Sequence, residues 1–224
     1  MKLDGTIGTI SFIKKMNRSR ENIRIIFEGH YFTMKSSLVK HLSAKYNIPF
    51  LSGEWMISEE LTNDFHSPNI IMPQSMSKAA ILESYDLIIR LLHLFPIQPF
   101  LIDRFHLSLQ FYDMMFNTDY YSSDIEDKLA AMNTVVVYCR SQLSSYQSML
   151  TSRLRDNSHK GNIYPMSYDA YCAEEEAFER IVRNTKLPLI YCDVSGKTVD
   201  QIETELVVSI TELQLINSKG KMEH

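Results

Sequence analysis

The chain has 224 residues, 45% of them hydrophobic and 22% charged, with a formal net charge of -4. That length holds one large domain with a sizeable core. The acidic balance excludes a protein whose main task is coating nucleic acid, which needs a strong basic excess. Three cysteines, Cys139, Cys172 and Cys192, are too few and too dispersed for a disulfide framework or a zinc site. They fit a reducing compartment, and a cytoplasmic location is expected. The N-terminus lacks a basic stretch followed by an apolar h-region. No segment approaches the ~20 apolar residues of a membrane helix, so no membrane partner is expected.

In chain order, residues 1–20, basic around Lys14 to Arg20, read as an N-terminal appendage to a single domain spanning 1–224. Ile23 to Phe27 is the first of five short apolar runs rich in β-branched and aromatic residues. Ile48 to Leu51, Phe100 to Ile102, Thr134 to Cys139 and Leu189 to Cys192 are the others. Mostly apolar rather than alternating, they suit strands buried on both faces of a parallel sheet. Pro49 inside the second run makes that strand the least secure. Helical patterns lie between the runs: Lys35 to Tyr46, Lys78 to Leu94, Ser108 to Phe116, Ser141 to Leu154, Tyr168 to Asn184 and Thr198 to Leu215. Thr198 and Gln201 have capping-box spacing. Strands alternating with helices predict an α/β domain with right-handed crossovers. Two stretches without periodicity, 53–74 and 156–165, are candidate binding loops or lids.

The first chemical constellation joins the first strand to the first helix: Phe27, Glu28, Gly29, His30, Tyr31, Phe32, Thr33, Met34, Lys35, Ser36 and Ser37. Gly29, Lys35 and Ser36 have the spacing of a P-loop. There, backbone N–H groups and a helix N-terminus surround phosphates, the lysine reaches the β- and γ-phosphates, and the hydroxyl holds Mg²⁺. Residues 29–37 are thus the candidate ATP-binding segment, with Lys35 expected to be an exposed loop lysine. Met34 replaces the second P-loop glycine, where a side chain narrows the phosphate space and resists the required dihedrals. The second constellation follows the third strand: Asp103, Arg104, Phe105, Ser108, Phe111 and Tyr112. A charged pair there sits where open α/β sheets bind ligands.

Together these residues resemble the thymidylate kinases and their deoxynucleoside kinase relatives, which carry F-E-G-x-x-G-x-G-K-[ST] and D-R-[YFH]-x-x-S-x-x-A-Y. Phe32 and Met34 stand where the family has glycines. The resemblance implies a P-loop nucleoside/nucleotide kinase fold with a five-stranded parallel sheet flanked by helices and a lid. It implies transfer of the ATP γ-phosphoryl group to a pyrimidine deoxynucleoside monophosphate such as dTMP or a modified analogue. Lys35 would contact the β/γ-phosphates, and Ser36 and Asp103 would serve Mg²⁺. Arg104 would hold the acceptor phosphate, with Ser108 and Tyr112 in the same motif. Arg153 and Arg155, in a candidate lid over 153–165, would close on the phosphates. Tyr85 and Arg90 lie on the helix that lines the family's base pocket. A homodimer is implied as well. The alternatives are a deoxynucleoside kinase with Glu28 as catalytic base, and a catalytically degenerate P-loop binding protein. Glu174, Glu175 and Glu176 read as a solvated acidic face. His66, His93 and His106 show no metal-ligand spacing.

Overall fold

The structure, a computed structural model, describes residues 23–30, 33–52, 78–94, 99–142 and 167–220, with single positions 144, 148 and 151. The apolar runs become strands β1 (Arg24–Glu28), β2 (Phe50–Ser52), β3 (Phe100–Asp103), β4 (Thr134–Arg140) and β5 (Leu189–Asp193). The helices are α1 (Lys35–Tyr46), α2 (Lys78–Leu94), α3 (His106–Phe116), α4 (Asp124–Ala130), α5 (Tyr168–Arg183) and α6 (Val199–Gly220). All five strands are parallel, in the order β2-β3-β1-β4-β5. Each step between neighbours therefore needs a crossover, which the helices supply.

Side chains alternate across β1 with the period of two that a strand imposes. Ile25 and Phe27 pack with Leu38, Val39 and Leu42 of α1 and Ile202 and Leu206 of α6. Ile26 packs on the opposite face, with Tyr85 and Leu92 of α2, Leu107 and Phe111 of α3, and Phe178 of α5. The result is three layers, helix on sheet on helix. Because α1 leaves β1 toward one face and α3 leaves β3 toward the other, the carboxyl ends of these adjacent strands form a topological switch point, where open α/β sheets place their ligand crevice.

The elements match the expected ones closely, and the differences have causes. Strand β2 is reduced to three residues, starting immediately after Pro49, which has no N–H for a ladder. The seven residues of α4 are too short to show a helical period. Its acidic first turn, Asp124, Glu126 and Asp127, was the available signal. Helix α3 begins at His106 rather than Ser108, for reasons given below. The capping box at α6 is closed in both directions: the Thr198 N–H donates to Gln201 Oε1 at 2.8 Å, and the Gln201 N–H to Thr198 Oγ1 at 3.3 Å. Cys139 and Cys192 pair in register on β4 and β5 and are buried. No described helix is long and apolar enough to cross a membrane. The appendage 1–20, the loop 53–74 and the candidate lid 153–165 lie outside the described residues, as does most of the expected helix 141–154.

Candidate active site

At the end of β1 the chain reaches Gly29 with φ 146°. A Cβ there would stand 2.1 Å from the Cys139 carbonyl oxygen of β4, so no side chain fits between the loop and the neighbouring strand. Past Tyr31 and Phe32, which are not among the described residues, Met34 adopts φ 55° and ψ 10° immediately before α1. This is the left-handed conformation glycine would take freely, and it costs an L-residue roughly 1–2 kcal/mol. The methionine thus accepts the dihedrals. Its half-buried side chain packs against the core beneath α1.

Lys35 is not the exposed loop lysine that was expected. It is 4% exposed, and its ammonium donates to the His30 carbonyl at 2.6 Å and to Thr33 Oγ1 at 2.9 Å. Thr33 Oγ1 in turn donates to the same carbonyl at 2.9 Å. The lysine is folded back over its own loop, held by neutral oxygens that an anion can replace. No described side chain caps the N-terminus of α1, and its first turn carries no acid. Ser36 and Ser37 are exposed there.

One strand away, Asp103 ends β3 opposite Phe27 of β1 and Ser52 of β2. Arg104 follows with φ 61°, its N–H held by the Phe27 carbonyl at 2.9 Å. Its guanidinium donates to Tyr112 Oη at 3.5 Å across the first turns of α3. Glu28 organises this turn. Fully buried, its Oε1 accepts the N–H groups of Phe105 (2.8 Å), Leu107 (3.2 Å) and Ser108 (3.4 Å), while Oε2 accepts Ser108 Oγ at 2.5 Å. A carboxylate supplied by β1 therefore caps α3, which explains why the helix starts two residues early. Both Glu28 oxygens are engaged, and the Ser108 hydroxyl donates to Glu28.

Tyr85 faces the same turn. Its ring packs 4.7 Å from that of Phe105, and its hydroxyl donates to the Phe105 carbonyl at 3.4 Å. Burial, reinforced by the Glu28 carboxylate, pushes its pKa well up and keeps it a neutral donor. Arg90 is exposed. Five residues along a helix rotate by about 140°, so the two side chains leave α2 in widely different directions. His93 is exposed. His106 is buried against Glu126, Nε2 to Oε1 at 3.3 Å. His66 and the candidate lid residues Arg153 and Arg155 lie outside the described residues.

The site also includes residues sequence reasoning missed. Glu174 and Glu175 do not form a solvated face: Glu175 is buried and receives Tyr138 Oη of β4 at 2.7 Å, and Glu174 reaches His30 in the loop. Tyr171, Glu175, Phe178 and Val182 recur at i, i+4, i+7 and i+11, the spacing of a buried helical stripe. That was the available signal. Burial raises the pKa of Glu175. Elsewhere, ligand atoms of His41, Asp200 and Glu203 lie within 4.8 Å of one another. There Lys45 already supplies the cation, 2.7 Å from Glu203 Oε2.

A strand, a glycine that admits no Cβ, a lysine folded over the loop and a helix without a side-chain cap among the described residues come together here, one strand from a buried aspartate. The fold is that of a P-loop nucleotide or nucleoside kinase. Solved structures that share it include the following three. The YorR protein of Bacillus subtilis, in complex with phosphorylated GDP, has a TM-score of 0.57 at 22% identity, over 85% of this chain and 96% of that one. Thymidylate kinase from Candida albicans gives 0.55 at 19%, over 87% and 93%. Deoxyadenosine kinase from M. mycoides with bound dATP gives 0.55 at 12%, over 84% and 99%. No family model and no curated protein sequence matches the chain.

Proposed function

We propose that the chain transfers the γ-phosphoryl group of ATP to a pyrimidine deoxynucleoside monophosphate, dTMP or a modified analogue of it. The observation that carries this reading is the open N-terminus of α1 behind Gly29, with Lys35 and exposed Ser36 on one side of the crevice and Asp103–Arg104 on the other. Helix N-terminal amides and a nearby cation are what draw phosphates to such a site. Lys35 exchanges its two loop oxygens for phosphate oxygens, which are charged and therefore bind it more strongly. Arg104 holds the acceptor's phosphate, for which a guanidinium fork is suited, with Tyr112 steadying it.

Ser36 and Asp103 offer a hydroxyl and a carboxylate, the hard oxygen donors that suit Mg²⁺. When bound, that ion neutralises charge on the β- and γ-oxygens. Tyr85 and Tyr112 flank the acceptor side. Arg153 and Arg155 are assigned to the phosphates from the resemblance alone. The chemistry asks the protein chiefly for alignment and for charge that meets the transferred group.

A nucleoside acceptor would need a base near its hydroxyl, and Glu28 is fully engaged by α3, which favours a monophosphate. The test is a coupled ADP-release assay with ATP, Mg²⁺ and a panel of deoxynucleosides and their monophosphates. Turnover dependent on a pyrimidine monophosphate supports the reading, and turnover with nucleosides alone replaces it with the deoxynucleoside kinase. ATP binding without turnover on any acceptor leaves the degenerate P-loop protein.

A further inference from the structure

The turn of α5 that carries the acidic run is fastened to the phosphate-binding loop. Glu174 Oε2 lies 2.8 Å from His30 Nε2. His30 is 1% exposed. Its ring stands edge-on to Tyr171 of α5, 4.8 Å between centroids, and to Phe111 of α3, 5.9 Å away. The same residue's carbonyl receives both the Lys35 ammonium and Thr33 Oγ1. Its ring therefore binds α5 and its backbone binds the loop's lysine. Next along α5, Glu175 is anchored to Tyr138 of β4, so the turn from which Glu174 reaches is itself tied to the sheet.

This arrangement coincides with a local difficulty. Met34 sits in the left-handed region where a glycine would rest without strain. A strained conformer persists only when its surroundings over-determine it. We propose that His30 and Glu174 form a positioning latch that holds the loop in its phosphate-ready shape against the strain at Met34, with Lys35 kept at the loop through the His30 carbonyl. The proposal rests on the reading of this loop as an ATP site. Neither residue is placed at the reacting atoms, and both act through the shape of the loop. Without the latch a smaller fraction of molecules carries the competent loop, and the apparent ATP affinity falls by that fraction. Once ATP is bound its own contacts hold the loop, so kcat changes little while KM for ATP rises.

The experiment is a double-mutant cycle on the full chain, read by ATP titration and by KM and kcat, with thermal melts as the folding control. Glu174→Ala is expected to raise the ATP Kd and KM about tenfold, with kcat within about twofold. Glu174→Gln, which keeps a hydrogen-bonding group at the same reach, is expected to recover most of that loss. In a Met34→Gly background the effect of Glu174→Ala should shrink to about twofold, because glycine needs no restraint there. A purely structural glutamate would give the same loss in both backgrounds, and that additivity overturns the latch. So does an unchanged ATP Kd in a folded Glu174→Ala protein. A folded wild-type chain that binds no ATP overturns the P-loop reading and the latch together, and is told apart by the wild-type titration alone.

Discussion

Two helix N-termini flank the crevice, and they are treated in opposite ways. Both follow a buried strand, and both begin after a left-handed residue that is not glycine, Met34 before α1 and Arg104 shortly before α3. At α3 the free N–H groups are met by Glu28, a resident carboxylate from the neighbouring strand, and His106 in the first turn is met by Glu126. At α1 no described side chain caps the helix, no acid lies in the first turn, and two serines face solvent. A helix N-terminus attracts anions wherever its amides are free. The one already holding a carboxylate builds the fold, and the one with no cap among the described residues is the proposed phosphate site.

The sharpest test of that contrast is at the open end. Lys35→Ala is expected to lower turnover roughly 10⁴-fold, about 5.5 kcal/mol of transition-state free energy, as measured in the ADP-release assay. Unfolding free energy should fall by no more than about 2 kcal/mol, because losing its two loop hydrogen bonds is partly offset by removing a buried charge. Full turnover in that variant would end the P-loop assignment. At the closed end the roles reverse. Glu28→Ala removes the acceptor of three N–H groups and a hydroxyl in a buried site, and should cost about 4 kcal/mol of stability in urea unfolding. A stable Glu28→Ala protein would mean that α3 finds another cap.

Acid should also weaken the closed end first. Burial opposes ionisation of Glu126, but hydrogen bonds from His106, Thr185 and the Lys186 N–H prevail and hold its pKa at about 2, below the ordinary 4.5. A depressed carboxylate stabilises the fold above its unfolded pKa and loses that contribution as pH falls. Glu126 should therefore account for a loss on the order of 3 kcal/mol between about pH 4.5 and pH 2. The urea midpoint of Glu126→Gln should converge on that of the wild type as pH drops through this window, and a constant gap would refute it. The smallest effect belongs to Met34→Gly. Relief of about 1–2 kcal/mol of left-handed strain is offset by glycine's chain entropy and by lost methionine packing, so stability should move by less than about 1 kcal/mol. Turnover should equal or exceed that of the parent. A large loss would give the methionine a positive role in the loop.

Much of this was readable from the chain. Runs such as Ile25 to Phe27 and Val135 to Val137, short, continuously apolar and rich in β-branched residues, suit strands covered on both faces. Gly29, Lys35 and Ser36 have the spacing of a P-loop, and Thr198 with Gln201 marks a helix start that the structure closes as a capping box. These signals are local, fixed by backbone periodicity and by what a short segment can do to its own amides. The destinations of buried charges are not local. Glu28 stands 77 residues from the Phe105 amide it caps, and Glu174 stands 144 from His30. Neither partnership follows from spacing, because a buried carboxylate takes whichever donors the packed helices bring to it. The sequence by itself determined the strands, most of the helices and the candidate phosphate loop. Which helix end receives a buried carboxylate, and where Glu174 and Glu175 are tied, were decided only when the parallel strands and the helices packed against them came together.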